Sequence, residues 1–456
     1  MWPLKTKLSN KWSAWFFHAF IFFIPIQSSV FIYSSSWGRG FTNPYLSVFF
    51  SAPEVFLLLS GLCFLFENKN QRWKKGGLYF FLLVLLLLTS ASLSLLFSET
   101  SDGILKLLSI VSLFELLLSY MLVTNKVIKV NQIFRTFSLT MSFQALLGML
   151  QVLLGHSLGL QILGEPVLSA DASHIARLSM GTWELIRAYG TFSHPNILGG
   201  FLAISLLGTL LYPPESKKER NGHLILQFIT LLLSFSRSAL LGLIVGVIVL
   251  SFRSVSHLKN IQSRWLTRSV FVLVAIEIIF LILSRPVPLT NDPAIQSRIE
   301  GYQMAKELIL THPLGVGWGL ETLYLDTVSE RSLKPWDYQP THNIFLLFWS
   351  ETGILGIASL LSLLIYTAHK LLEHEKILGT KHEIGKKNFF LAIGLIILCT
   401  GLVDHYWFSL EQGRFLAMLM LASMARFLSD PIPIFPIKKA KHSLKSLTAP
   451  LKKLQH

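Results

Sequence analysis

Apolar runs long enough to cross roughly 30 Å of hydrocarbon recur along this 456-residue chain, near 12–32, 46–66, 78–98, 103–123, 133–154, 193–212, 222–235, 237–252, 269–285, 342–367, 388–408 and 411–428. A chain with that pattern buries its apolar side chains in a bilayer rather than in a soluble core. The predicted fold class is therefore an all-α polytopic membrane protein with about twelve transmembrane helices. The composition agrees: 52% of residues are apolar, 14% are charged, and mean hydropathy is +0.54. The seventh run is short, and only the tight break Ser234-Phe235-Ser236-Arg237-Ser238 separates it from the eighth.

Orientation follows from sorting Lys and Arg between alternate connections, because cytoplasmic loops are enriched in both. With both termini cytoplasmic, 29 of the 40 basic residues fall on the cytoplasmic side. Losing one helix would move every later basic loop to the wrong side. The net charge of +15 does not indicate nucleic acid, since the basic residues lie in short clusters between apolar runs with no aromatic interleaving. Cys63 and Cys399 both sit inside apolar runs, which leaves no disulfide framework and no zinc site. The first run is long for a signal-peptide core, and no small-residue cleavage site follows it, so it reads as the first span.

Three regions result. Residues 1–180 hold the first five spans and most of a first large outer loop, which runs 155–192. Residues 181–428 hold the remaining spans and a second outer loop, 285–341. Residues 429–456 form a basic cytoplasmic tail, lying against anionic lipid or simply solvated. In the second loop, Asp292-Pro293 has the form of a helix start. Ile295, Ile299, Tyr302, Ala305, Leu308 and Ile309 then give a helix to about 311 one apolar face, and His312-Pro313-Leu314-Gly315-Val316-Gly317-Trp318-Gly319 ends it in a tight turn.

Chemistry concentrates at the outer ends of the helices. His342-Asn343 opens an apolar run directly after a polar segment, which places an imidazole where a helix meets water. Its neutral form is the side chain best suited by pKa to take a proton from a hydroxyl near neutral pH, although a lone interfacial histidine is also a common structural residue. Glu351 is more than two turns along the same run, where it either anchors a neighbouring helix or pairs with an arginine. Gly353 and Gly356 leave a smooth strip for another helix to approach. Arg187, Arg237 and Arg298 reach the same outer side from separate stretches, and arginine suits bidentate contact with phosphate oxygens. The alternative reading of each arginine taken singly is snorkelling, or pairing with an acid such as Glu184 or Glu300. Asp404 and His405, at the end of the eleventh run, can join this group. Glu115 and Glu277 lie inside apolar runs without an evident partner.

These residues resemble the O-antigen ligase and polymerase superfamily of bacterial envelope glycosyltransferases. His342-Asn343, nine residues, then Gly353-Ile354-Leu355-Gly356 matches the pattern of His, a small polar residue, nine of any kind, Gly, two of any kind, and Gly. The Arg298 helix leading into residues 312–317, the Ser236-Arg237-Ser238 element, and Arg187 through Asn196 resemble the family's other elements. The resemblance covers roughly 180–425. It implies a GT-C-like membrane enzyme with no cofactor: a metal-independent, inverting glycosyltransferase that takes a glycan from undecaprenyl diphosphate at the outer face of the cytoplasmic membrane. Arg187, Arg237 and Arg298 would hold the diphosphate. His342, and with it Arg298, would be catalytic, and Asn343, Glu351, Asn196 and Asp404 would support them. The acceptor would be lipid A-core for a ligase or a second lipid-linked repeat for a polymerase. A flippase is a further alternative, but it would place its charges near the bilayer midplane, whereas here they gather at one face.

Overall fold

The computed structural model describes residues 11–35, 43–67, 77–169, 175–180, 183–255, 293–335, 337–377 and 381–429. The order is α1 (Trp12–Phe23), a hairpin of β1 (Ser29–Ser34) and β2 (Ser47–Ser51), α2 (Ala52–Glu67), α3 (Leu78–Phe97), α4 (Gly103–Thr124) and α5 (Val130–Leu154). A second hairpin of β3 (Arg177–Met180) and β4 (Trp183–Ile186) precedes α6 (Pro195–Leu211), α7 (Lys217–Leu233) and α8 (Arg237–Val255). Then come α9 (Pro293–Thr311), α10 (Glu321–Val328), α11 (Ile344–Ile377), α12 (Lys381–Gly401), the single turn α13 (Tyr406–Ser409) and α14 (Glu411–Ser429).

Among the described residues five helices are long and apolar enough to cross a membrane, namely α3, α4, α5, α11 and α12. α1, α6 and α8 are shorter apolar helices. This is the architecture of a helical membrane protein. The ninth run, 269–285, the basic tail, Glu277 and Asp292 lie outside the described residues.

Two expectations need correction. The chain is mostly rather than wholly helical, because both strand pairs are antiparallel hairpins. The first also shortens the first two runs: α1 ends at Phe23, and α2 begins only at Ala52. Consecutive apolar residues such as Val30-Phe31-Ile32 and Val48-Phe49-Phe50 do not show the two-residue alternation that marks a strand.

One continuous apolar core runs from α1 through α14, with Phe17, Phe20, Phe134, Phe201, Phe348 and Trp407 fully buried. Trp407 shows how it closes. Its ring lies parallel to Phe201 at 5.7 Å, and its indole N–H donates to Thr400 Oγ1 at 2.8 Å, so its polar edge is satisfied inside the bundle.

The expected break at 234–236 is present. α7 stops at Leu233, Phe235 takes φ +46°, and Ser236 Oγ accepts from the backbone N–H of Ala239, a side-chain cap for α8. The expected outer-loop helix is α9, with Ala305 and Leu308 buried and Ile299 exposed at the edge of its face.

Candidate active site

α11 is two helical segments in line. Gly353 breaks it, with φ +64° and ψ −164°. Backbone groups freed by the break bond to the turn after α9: Val316 N–H donates to Ser350 O and Gly317 N–H to Glu351 O, while Ile354 N–H donates to Pro313 O, each at 2.9 Å. A Cβ on Gly353 would stand 2.3 Å from the carbonyl carbon of Leu314. Gly353 is therefore not part of a helix-docking strip: it is where a turn meets a helix backbone to backbone. A Cβ on Gly356 would meet Thr352 of its own helix.

Two buried acids lock the same junction. The Glu321 carboxyl, at the start of α10, accepts from Thr341 N–H (2.8 Å), Thr341 Oγ1 (2.9 Å) and Ser350 Oγ (2.7 Å). The Glu351 carboxyl faces the backbone N–H groups of Gly319 and Glu321. Glu351 thus faces the turn after α9 and the first residue of α10. Glu321, invisible in the sequence as one acid among many, fixes the residue that precedes His342.

His342 stands just before α11. Asn343 caps the helix, its Oδ1 accepting from the N–H groups of Phe345 (2.9 Å) and Leu346 (3.2 Å), and its Nδ2 donates to Leu402 O at 3.2 Å. That second bond ties the start of α11 to the end of α12, which brings Asp404 and His405 alongside. One ring nitrogen each of His342 and His405 and an oxygen of Asp404 all lie within 4.8 Å of one another. The two rings meet edge to face. His405 Nδ1 is bonded to Ser409 Oγ at 2.5 Å, and Tyr302 of α9 donates to the carbonyl of His342 at 3.1 Å.

The arginines close on this group from two sides. Arg298, on α9, is near enough to both imidazoles to disfavour their protonation. Arg187, just after β4, donates from Nε to Ser234 O at 2.7 Å and from Nη2 to Asn196 Oδ1 at 2.8 Å. Asn196 in turn donates from Nδ2 to Asp404 Oδ2 at 3.3 Å. Arg237, the first residue of α8, is close enough to Arg187 for the two charges to oppose each other. Glu184 and Glu300, the acids considered as partners, are taken by Arg177 (2.8 Å) and Arg331 (2.7 Å).

Two site residues were missed from the sequence. His194 caps α6, its Nδ1 accepting from Asn196 N–H, and lies in the field of Arg187, Asp404, His342 and His405. Tyr45, in a short turn between β1 and β2, sets its ring edge to face on His405 at 5.4 Å. Only the His-Pro-Asn sequence signalled the first; nothing in the sequence links Tyr45 to residues 360 positions away.

Residues 223–361 match the O-antigen ligase family. The match supports the superfamily resemblance, and it contains Arg237, Arg298, His342, Asn343, Glu351 and Gly353. No curated protein matches the sequence. The matched segment thus supplies the histidine, its cap and two arginines, while Arg187, Asn196, Asp404 and His405 come from flanking segments that pack onto it.

Burial lowers the His342 pKa below the ordinary histidine value and Arg298 lowers it further, while Asp404 opposes both. His405 is driven well below that value by burial, then by His342 and Arg298. His194 is pushed down to about 4, chiefly by burial. Burial also brings Arg187 down to about 10, which still leaves it charged. At neutral pH the site therefore holds three neutral imidazoles and three guanidinium groups. His342, Asp404 and His405 are the residues here with donors for a cation; Arg298 beside both rings opposes a dication.

Proposed function

We propose that the protein is a glycosyltransferase that moves a glycan from undecaprenyl diphosphate onto an acceptor hydroxyl at the outer face of the cytoplasmic membrane. The reaction is of the O-antigen ligase type, with lipid A-core as acceptor. One observation carries this reading: Arg298 stands beside His342, while Arg187, with Arg237 close to it, is joined through Asn196 to Asp404.

The chemistry follows from that arrangement. The acceptor oxygen attacks the anomeric carbon while the neutral His342 ring takes the hydroxyl proton. The bond from anomeric carbon to diphosphate oxygen breaks, and its electron pair leaves with the diphosphate. Fixed guanidinium groups placed where that charge develops stabilise the transition state without having to reorganise. One displacement from the face opposite the leaving group inverts the anomeric centre. Asp404 stabilises the imidazolium once it forms.

Deleting the gene and profiling surface glycans by electrophoresis tests the assignment. A finished glycan accumulating on its carrier lipid supports the ligase reading. A single repeat capping the acceptor shows a polymerase, whose acceptor is a second lipid-linked repeat. An unchanged glycan profile overturns both. The outer location is tested separately: a cysteine at Ser238 should react with an impermeant thiol reagent while the cytoplasmic membrane is intact, and labelling only after lysis overturns the orientation.

A further inference from the structure

Tyr45 sits at the tip of the first hairpin, in the short turn Pro44–Leu46 between β1 and β2. Its backbone is held on both sides. The N–H donates to Asn43 Oδ1 at 2.8 Å, and the carbonyl accepts from Thr322 Oγ1 of α10 at 3.3 Å. Asn43 in turn donates from Nδ2 to the carbonyls of Pro335 (3.1 Å) and Tyr338 (2.9 Å), which binds the tip to the loop that leads into His342. The far end of β2 is tied as well, with Ser51 Oγ donating to the Glu411 carboxyl of α14.

The side chain is placed, yet its hydroxyl is unused. The ring lies edge to face on His405, while the phenol oxygen has no hydrogen-bond partner among the described residues. Other hydroxyls around the two imidazoles are taken: Tyr302 donates to the carbonyl of His342, and Ser409 is bonded to His405. Nor does Asp404 need the phenol, since its Oδ1 accepts from His405 N–H at 2.9 Å and its Oδ2 from Asn196. Tyr45 is only half-buried, so a molecule entering the site can reach it.

The charge beside this hydroxyl narrows what it meets. Desolvation, and then the charge of Asp404, hold the phenol above the ordinary tyrosine range, so it keeps its proton and can donate. Tyr302, by comparison, also feels Arg298. A neutral donor whose charged neighbour is a carboxylate suits an uncharged sugar oxygen, whereas a diphosphate is met by guanidinium groups. In a single displacement the attacking oxygen and the departing diphosphate lie on opposite faces of the anomeric carbon. Resting on the function proposed above, we infer that Tyr45 positions the acceptor: its O–H donates a hydrogen bond to an acceptor-sugar oxygen next to the hydroxyl that His342 deprotonates. A fixed contact of this kind holds the attacking oxygen in line and so favours the reactive geometry.

Tyr45→Phe keeps the ring against His405 and removes only the oxygen. The test uses full-length protein in lipid nanodiscs, with lipid A-core purified from a strain lacking the gene as acceptor and a glycan on undecaprenyl diphosphate as donor. KM for lipid A-core should rise by about 2- to 10-fold, the loss that goes with one neutral hydrogen bond. KM for the donor and the rate–pH profile should match the wild type. An unchanged KM for lipid A-core overturns the inference. So does a rise confined to the donor KM, which puts the hydroxyl on the donor, and so does a shifted rate–pH profile, which makes Tyr45 act through the histidines. Failure of the wild type to transfer to lipid A-core is a separate result: it removes the ligase reading, and the inference with it. In a second measurement, a photoreactive phenylalanine analogue in place of Tyr45 should crosslink to lipid A-core. Crosslinks to the undecaprenyl-linked donor alone overturn the assignment.

Discussion

The rings of His342 and His405 meet edge to face, with 4.7 Å between centroids and 85° between planes. Burial disfavours a charge on either ring, and a proton on either would also put a cation beside Arg298, so both pKa values lie below the ordinary histidine value. His342 is the more exposed of the two, which leaves it the ring that an acceptor hydroxyl can reach.

A positioned base contributes about 10²–10⁴-fold to such a transfer. We expect His342→Ala to lower turnover by that order while donor binding persists, and His342→Gln to be equally impaired, since an amide cannot take the proton. Because the folded-state pKa of His342 is depressed, the rate should stay level as pH falls past the ordinary histidine value of about 6.5 and decline only below it. A rate–pH profile of the purified protein checks this; a decline centred on the ordinary value would show that burial does not govern the ring.

Arg298→Lys keeps the charge and loses the planar two-pronged contact with phosphate oxygens. Transfer should fall nearly as far as in Arg298→Ala. Near-normal kcat/KM in the lysine variant would make Arg298 a source of diffuse positive potential.

Asn196 joins Arg187 to Asp404 through one side chain. Hydrogen bonds to charged groups are worth about 1.5–3 kcal/mol, so Asn196→Ala should lower transfer by about 10- to 100-fold. Asn196→Asp retains the acceptor for Arg187 but repels Asp404, and it should not restore activity. Rescue by that variant would confine the role of Asn196 to holding the arginine.

Gly353→Ala should be severe although the change is one methyl group. Gly353 has φ +64° and ψ −164°, a conformation essentially confined to glycine that costs another residue on the order of 1–3 kcal/mol, and the new Cβ would also overlap the backbone at Leu314. A lower thermal midpoint in detergent, with reduced accumulation in the membrane, is the expected outcome. Gly394→Ala, in open space, serves as the control.

Removing divalent cations tests the His342, Asp404 and His405 cluster directly. With Arg298 beside the rings, transfer should be unchanged after exhaustive chelation. Loss of activity restored by one added divalent metal would make these three residues its ligands.

Much of this was legible in the sequence because it depends on local rules. Pro293 marks the start of α9, and the Ser234–Ser238 stretch separates two helices. The arginines were recognisable by type and by the side of the membrane assigned to them. Glu321 and Tyr45 were not, because their roles arise from contacts that only the folded chain creates. Glu115 carried no clue to its neighbours: its carboxyl meets Glu54 of α2, with Glu411 and Arg414 of α14 nearby. Gly353 was misread for the opposite reason, since a glycine pair in an apolar run is the usual mark of helix docking.

The break at Gly353 also bears on how the protein is made. The turn that completes the interrupted helix, residues 313–317, is synthesised before residues 350–354. When the second half of α11 leaves the ribosome, the partners for its unpaired backbone groups already exist on the nascent chain. A segment that would otherwise enter the bilayer with bare amides and carbonyls can be matched as it arrives. A one-residue deletion within 313–317 would therefore act as an insertion defect in a helix that starts 27 residues downstream.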